Sequence, residues 1–441
     1  MSAFERVPHA DPGEVFPLAH VCGHWRAVAL KDTRLWTELK LCHKQTASAA
    51  ALDQIVRWFY RAYPRPVSFS LICDQSPYQV VYTLRRQSLL DTILISLLPQ
   101  INTLELSGYE RWFQFLARLP LDVFSQVNRL WINGRPGSLV EPASTVGTLE
   151  CPHVTRLGLE RMSFVIGSNA LSRVMRMPWE RLRSLKLTYI ETEHDVGAVF
   201  FLCTGLEEVT LELLGGFFAR QQDEPRGVVE FPHLIYLEIH FVEFPEALGS
   251  AGSYPALHTV HLCDRSEWTE ENSWRSLVQL ARQSPRLESL WLHDFVLTSD
   301  TADIRGLLGS LPLLRYLQLF SVRLQPGDIG HMLVGGSGAV SVPNLEHLHY
   351  DSVDFDDETE EDMEDCQAEA YRAMKSFFDS YVVDGQLSRL SAFSLHFADW
   401  DPQSSTFDFE PTELCDAHLD GLKEIQRKLK GKVEIEIQGL D

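Results

Sequence analysis

At 441 residues the chain has material for a long core, and its 45 % hydrophobic and 23 % charged residues match an ordinary soluble protein. A formal charge of -22 at pH 7 argues against nucleic acid as a partner, because phosphates need Lys and Arg. The opening residues MSAFERVPHADPGEV hold no apolar signal region, and apolar runs such as Val199 to Leu202 fall far short of the ~20 residues that span a bilayer, so no membrane contact is expected and the cytoplasm or nucleus is.

Residues 18 to 41 (LAHVCGHWRAVALKDTRLWTELKL) come first. Leu18, Val21, Cys22, Trp25, Val28 and Ala29 recur at three and four, which is one apolar face of a helix. Leu35 and Trp36 follow and would close a small helical bundle. The run His-Val-Cys-x-x-Trp-Arg, then Ala-Leu, then Leu-Trp before a strand, resembles the second half of an F-box as found in fungal F-box proteins. That resemblance implies docking on the Skp-type adaptor of a cullin-RING ubiquitin ligase, through Leu18, Val21, Cys22, Trp25, Arg26, Leu35 and Trp36. Residues 1 to 17 carry no match to the L-P-x-E-I/L helix with which such proteins open, so either the chain starts late or its grip on the adaptor is weakened. An amphipathic helix that merely caps the end of a repeat array would need the same apolar face.

Residues 48 to 63 (SAAALDQIVRWFYRAY) read as a helix with Ala51, Ile55, Trp58 and Phe59 on one side, ended by Pro64 and Pro66. Val67 to Leu71 is strand-like, and Leu39 with Leu41 starts a strand before the helix.

From residue 101 onward one six-residue phrase returns eleven times: at 101 (INTLEL), 127 (VNRLWI), 154 (VTRLGL), 182 (LRSLKL), 206 (LEEVTL), 234 (LIYLEI), 257 (LHTVHL), 287 (LESLWL), 314 (LRYLQL), 345 (LEHLHY) and 390 (LSAFSL). Between fourth residues, from Leu104 to Leu348, the steps are 26, 27, 28, 24, 28, 23, 30, 27 and 31. A period in the high twenties with L-x-x-L-x-L inside it resembles the leucine-rich repeat. Alternation at the fourth and sixth positions makes a short strand with one face inward. One repeat cannot bury those leucines alone, so the copies imply a stacked α/β solenoid, a horseshoe.

The segments between phrases read as helices that stop at proline: 89 to 98, 112 to 119, 169 to 177, 273 to 284 and 303 to 311. Where such repeats often carry Asn or Cys, three residues past the sixth position, this chain has Met162, Ile190, Leu214, Val242, Phe295, Val322 and Val353. An apolar plug is therefore expected to fill the turn.

After the tenth copy the spacing opens to 45 residues, from Leu348 to Phe393. The insertion holds Asp354 to Asp365, nine of twelve of them acidic, which reads as a solvated loop; it lacks the alternating spacing and turn glycine of an EF-hand loop. A helix-like stretch, Ala368 to Val382, follows. Leu414 to Leu429 as a helix and Val433 to Ile437 as a strand make a last repeat that caps the array.

Signs of chemistry are few. The eight cysteines form no C-x-x-C pair and read as reduced, mostly buried thiols. Gly335, Gly336 and Gly338 are not followed by the Lys of a phosphate loop, and no Gly-x-Ser-x-Gly elbow occurs. The strand histidines, including His240, His261, His293, His347 and His349, show no H-x-x-x-H ligand pair. Neither enzyme, cofactor nor metal is expected.

The third, fifth and seventh residues of each phrase point away from the leucine core. In the C-terminal half they bring Tyr236, Glu238, His240, His261, Trp291, His293, Tyr316, Phe320, His347 and His349 to one wall, whereas Glu105, Gly158, Lys186 and Thr210 stand at fifth positions of the N-terminal half. Trp and Tyr dominate binding hot spots, so protein substrate is expected on the concave wall at Tyr236, His261, Trp291, His293, Tyr316, Phe320, His347 and His349. The alternative is that these side chains only cover neighbouring repeats. The sequence thus divides into a partial F-box-like element (1 to 45), a leucine-rich-repeat solenoid with its acidic insertion near 354 to 365 (46 to 400) and a C-terminal cap (401 to 441). The expected function is a substrate-recognition adaptor of a Skp-cullin-F-box type ubiquitin ligase, or else a repeat scaffold unrelated to ubiquitination.

Overall fold

The computed structural model describes residues 22–42, 49–72, 95–108, 116–117, 119, 121–134, 139–140, 148–161, 163–164, 171–172, 175–189, 195–213, 227–242, 244–265, 271–295, 302–320, 332–333, 340–353, 387, 389–398, 427 and 434–437. The acidic run, Ala368 to Val382 and nearly all of Leu414 to Leu429 lie outside them. The chain is α/β and falls into two compact units, Met1–Leu206 and Glu207–Asp441.

In the first unit six parallel strands stand side by side: β1 (Glu38–Cys42), β2 (Val67–Ile72), β3 (Ile101–Ser107), β4 (Arg129–Asn133), β5 (Arg156–Glu160) and β6 (Ser184–Thr188). Eight more form the parallel sheet of the second unit: β7 (Glu208–Leu213), β8 (Tyr236–Phe241), β9 (Thr259–Asp264), β10 (Ser289–His293), β11 (Tyr316–Phe320), β12 (His347–Val353), β13 (Ala392–Ala398) and β14 (Glu434–Ile437). Every copy of the phrase is a strand. The register is the sequence repeat itself. Leu104 pairs with Leu130 and Leu130 with Leu157, while Val209, Leu237, Val260, Leu290, Leu317, Leu348, Phe393 and Ile435 follow one another strand to strand. A slip of one residue would turn the whole leucine row to solvent.

The leucine row is buried at the first, fourth and sixth positions, as in Leu287, Leu290 and Leu292. Full burial of such a side chain is worth roughly 1.5 to 3 kcal/mol. The strand of each of the eleven phrases is preceded by a turn that the spacing did not disclose. The residue three before the phrase is buried in all eleven copies: Leu98, Phe124, Cys151, Trp179, Cys203, Phe231, Tyr254, Ser284, Leu311, Val342 and Leu387. Its carbonyl accepts from the N–H of the first phrase residue, at 3.1 to 3.5 Å from Val127 through Leu390 and likewise for Ile101 on Leu98. Pro99, Pro152, Pro232, Pro255, Pro285, Pro312 and Pro343 occupy the second place of this turn, where a fixed φ near -65° favours closure. Their role therefore extends beyond ending helices.

The described helices are α1 (Gly23–Lys31), α2 (Ala49–Ala62), α3 (Asp195–Leu202), α4 (Glu246–Ser250), α5 (Glu271–Arg282) and α6 (Ala302–Gly309), and α2, α5 and α6 form where expected. α5 buries Trp274, Leu277, Leu280 and Ala281, the face the spacing gave. The segment 169 to 177 departs from expectation. Of its described residues only 171–172 are helical, and Met175–Arg176 is a short strand paired with Leu149–Glu150. Met175 is buried and Arg176 points out to Glu150 at 3.6 Å, the two-residue alternation of a strand. Similar short parallel pairs join Leu139–Val140 to Ser163–Phe164 and Val229–Glu230 to Gly252–Ser253.

The turn plug holds at Phe295, which is fully buried, and fails at Val242, which is exposed. There the preceding residue, Phe241, turns inward and packs on Phe244 and Phe295 at 5.1 and 6.0 Å. Of the five described cysteines only Cys151 and Cys203 are buried, so these thiols are less buried than composition suggested. Among the described residues no helix is long and apolar enough to cross a membrane.

Candidate functional site

Two places gather the residues that the sequence singled out. The first is α1 (Gly23–Lys31), whose N-terminus is capped by the Cys22 sulfur accepting from the Trp25 amide at 3.5 Å. Of its residues only Ala29 is buried. Trp25 is 53 % exposed, and Val28 and Leu30 are exposed too, so the apolar face drawn through Cys22, Trp25, Val28 and Ala29 is covered only at Ala29. Leu18 and Val21 lie outside the described residues. Arg26 is exposed and Leu35 half-buried.

Trp36 ends the 3-10 turn Thr33–Trp36 and is 1 % exposed. Its indole N–H donates to the Ala29 carbonyl at 2.8 Å, its ring meets Trp58 edge-on at 4.7 Å, and the Arg61 guanidinium lies over it at 4.5 Å. Trp36 is thus buried beneath α1 and α2, and its hydrogen bond to Ala29 seats α1.

The second place is the outward face of β8 to β12. Tyr236, His261, Trp291, His293, Tyr316, Phe320, His347 and His349 are all half-buried there, each at a third, fifth or seventh position. Parallel pairing sets equivalent residues side by side, so the rings meet. Tyr236 touches His261 edge-on at 5.0 Å, and His261 stacks on Trp291 at 3.8 Å and 16°. Trp291 meets Phe320 at 6.1 Å and 50°. Phe320 carries His293 stacked at 4.3 Å and His349 at 4.7 Å, while Tyr316 stacks on His347 at 4.6 Å. Trp291 donates its indole N–H to Ser289 Oγ at 3.0 Å.

Glu238, on β8, is the electrostatic centre of this face. Its Oε2 accepts from the Tyr236 hydroxyl at 3.0 Å and the Thr210 hydroxyl at 3.2 Å, and its Oε1 bonds His240 Nε2 at 3.0 Å. Burial pushes the carboxyl up, but the hydrogen bonds from His240 and Tyr236 outweigh it and hold the group at about 2. Burial outweighs the opposing pull of the Glu238 charge on His261, which is depressed to about 4 and stays neutral near pH 7; burial also lowers His293. Glu238 escaped the sequence-based choice of contact residues because a lone glutamate on a strand face reads as solvated. The usable signal was its place between Tyr236 and His240 at two-residue spacing.

The outward face of the first unit is built differently. The Trp131 indole lies across Gly158, where any Cβ would collide with the ring. Lys186 Nζ stands 4.8 Å over that indole and 2.9 Å from Glu160 Oε1, and Asn133 Nδ2 donates to Glu160 Oε2 at 2.8 Å. Here cation, ring and carboxylate already satisfy one another. Among the described residues no group of three or more His, Cys, Asp and Glu could hold a metal ion.

These features define a parallel α/β sheet protein with an aromatic, histidine-rich outward face. No protein-family model matches the chain and no curated protein does. The chain is similar to a Bacteroides fragilis protein of known crystal structure, at 12 % identity over 86 % of this chain and 75 % of that one, with a TM-score of 0.29. A likeness at that level says nothing about function.

Proposed function

We propose that the chain is a leucine-rich-repeat solenoid that recognises protein, and more specifically the substrate-binding adaptor of a Skp-cullin-F-box type ubiquitin ligase. In this reading α1 docks on the Skp-type adaptor and the aromatic face of β8 to β12 holds the protein to be ubiquitinated. The observation that carries it is the uncovered face of α1: Trp25 and Val28 stand in solvent while Ala29 and Trp36 anchor the helix. A helix whose task was to cap the array would bury that face, whereas exposed Trp is costly unless a partner covers it. The lack of an L-P-x-E-I/L motif in residues 1 to 17 favours the second reading, a binding scaffold with no ubiquitin connection. Co-expression of the full chain with a Skp-type adaptor separates the two. The first reading expects a stable complex through size exclusion; elution of the chain alone leaves the scaffold.

A further inference from the structure

The first unit shows how this chain seats a cation. Trp131 and Glu160, on adjacent strands β4 and β5, hold Lys186 of β6 between an indole face and a carboxylate. Ring quadrupole and carboxylate both attract the ammonium. The second unit offers the same two ingredients without the cation. The third, fifth and seventh positions from β7 to β12 include no Lys or Arg; they carry Glu208, Glu212, Glu238 and Asp351 among the aromatic residues. Glu212 is answered by Arg265 at 2.5 Å. The charge of Glu238 is met by two hydroxyls and an imidazole.

An ionised carboxylate offers about four acceptor positions, and Glu238 uses three of them. Its side chain is 26 % exposed, so the remaining position on Oε1 is open to a donor from outside. β8 and β10 are two strand spacings apart, roughly 10 Å. A long side chain entering beside Trp291 therefore lays its stem along the His261 ring on the way to Glu238, as lysine and arginine stems do on apolar surfaces. His261 and His293, depressed by burial, add no opposing charge near neutrality.

We propose that the aromatic face of β8 to β12 recognises a basic segment of a partner protein, with a Lys or Arg side chain packed on His261 and Trp291 and its charged head on Glu238. This rests on the reading of that face as the target-binding surface and names the class of target.

The test is fluorescence anisotropy of the full chain with labelled nona-arginine, nona-lysine and nona-glutamate peptides at about 0.15 M salt, where long-range attraction is screened. The basic peptides are expected to bind and nona-glutamate not to. Glu238→Gln and, separately, Trp291→Ala are each expected to weaken basic-peptide binding more than tenfold, while deletion of Asp354 to Asp365 leaves it unchanged. Two separate variants guard against misfolding at one site, and each is checked by its thermal midpoint. Equal binding by both folded variants, or a loss that follows the acidic deletion, would mean only general attraction to a chain of charge -22 and would overturn the proposal; so would absence of basic-peptide binding. Should Trp291→Ala abolish capture of a natural target that Glu238→Gln still binds fully, the surface stands and the basic class of target falls.

Discussion

His261 and Trp291 stack with ring centroids 3.8 Å apart and planes 16° from parallel, on neighbouring strands at equivalent positions of the repeat. The stack removes the imidazole from water, and that desolvation depresses its pKa from 6.5 to about 4. Between those values the unfolded chain binds a proton that the folded chain refuses, so stability falls as pH drops from 6.5 toward 4. Glu238 acts in the same direction lower down, its contribution being complete above its ordinary 4.5 and lost as pH falls toward about 2. Replacing His261 with Phe keeps a ring against Trp291 and removes the titration. The thermal midpoint of His261→Phe should therefore decline less steeply across that window than the parent's, with a residual slope from His293. An unchanged slope would show that the stack does not govern the titration.

Trp36 and Trp25 should part company in stability. Trp36→Ala removes the hydrogen bond to Ala29 and the contact with Trp58, and core Trp truncations cost about 3 to 5 kcal/mol. Trp25→Ala changes a side chain that is 53 % exposed and should stay within about 0.5 kcal/mol. Urea unfolding followed by circular dichroism measures both.

Gly158 is the seat of Trp131. Gly158→Ala should destabilise by about 1 to 3 kcal/mol, the usual cost of overpacking. In a Trp131→Ala background the same substitution should cost much less, a coupling that a double-mutant cycle reads directly.

On the aromatic face, alanine at Trp291 and Phe320 together should weaken capture of the target more than tenfold, about 1.4 kcal/mol, with adaptor binding intact. Titration of purified target against the folded double variant is the measurement; unchanged capture would exclude this surface.

The parallel strands were legible because the spacing of Leu104, Leu130 and Leu157 is also their register. Legibility ended where side chains serve two neighbours at once. Trp36 reads as part of an apolar surface, and only the fold sets it under α1 and against Trp58. Met175–Arg176 reads as helix because two residues show no period, and their strand exists only through Leu149–Glu150. The wall residues Tyr236, His261, Trp291 and Phe320 were legible from alternation. Their ring contacts and the pull of Tyr236, Thr210 and His240 on Glu238 depend on distances across strands, which no single stretch of sequence contains.

The measurement that bears most directly on an adaptor function is the affinity of the full chain and of Trp25→Ala for a purified Skp-type adaptor, taken beside their thermal midpoints. The account predicts binding by the parent, a loss of more than tenfold, about 1.4 kcal/mol, in Trp25→Ala, and matching midpoints. No binding by the parent, or equal binding by both, would contradict it.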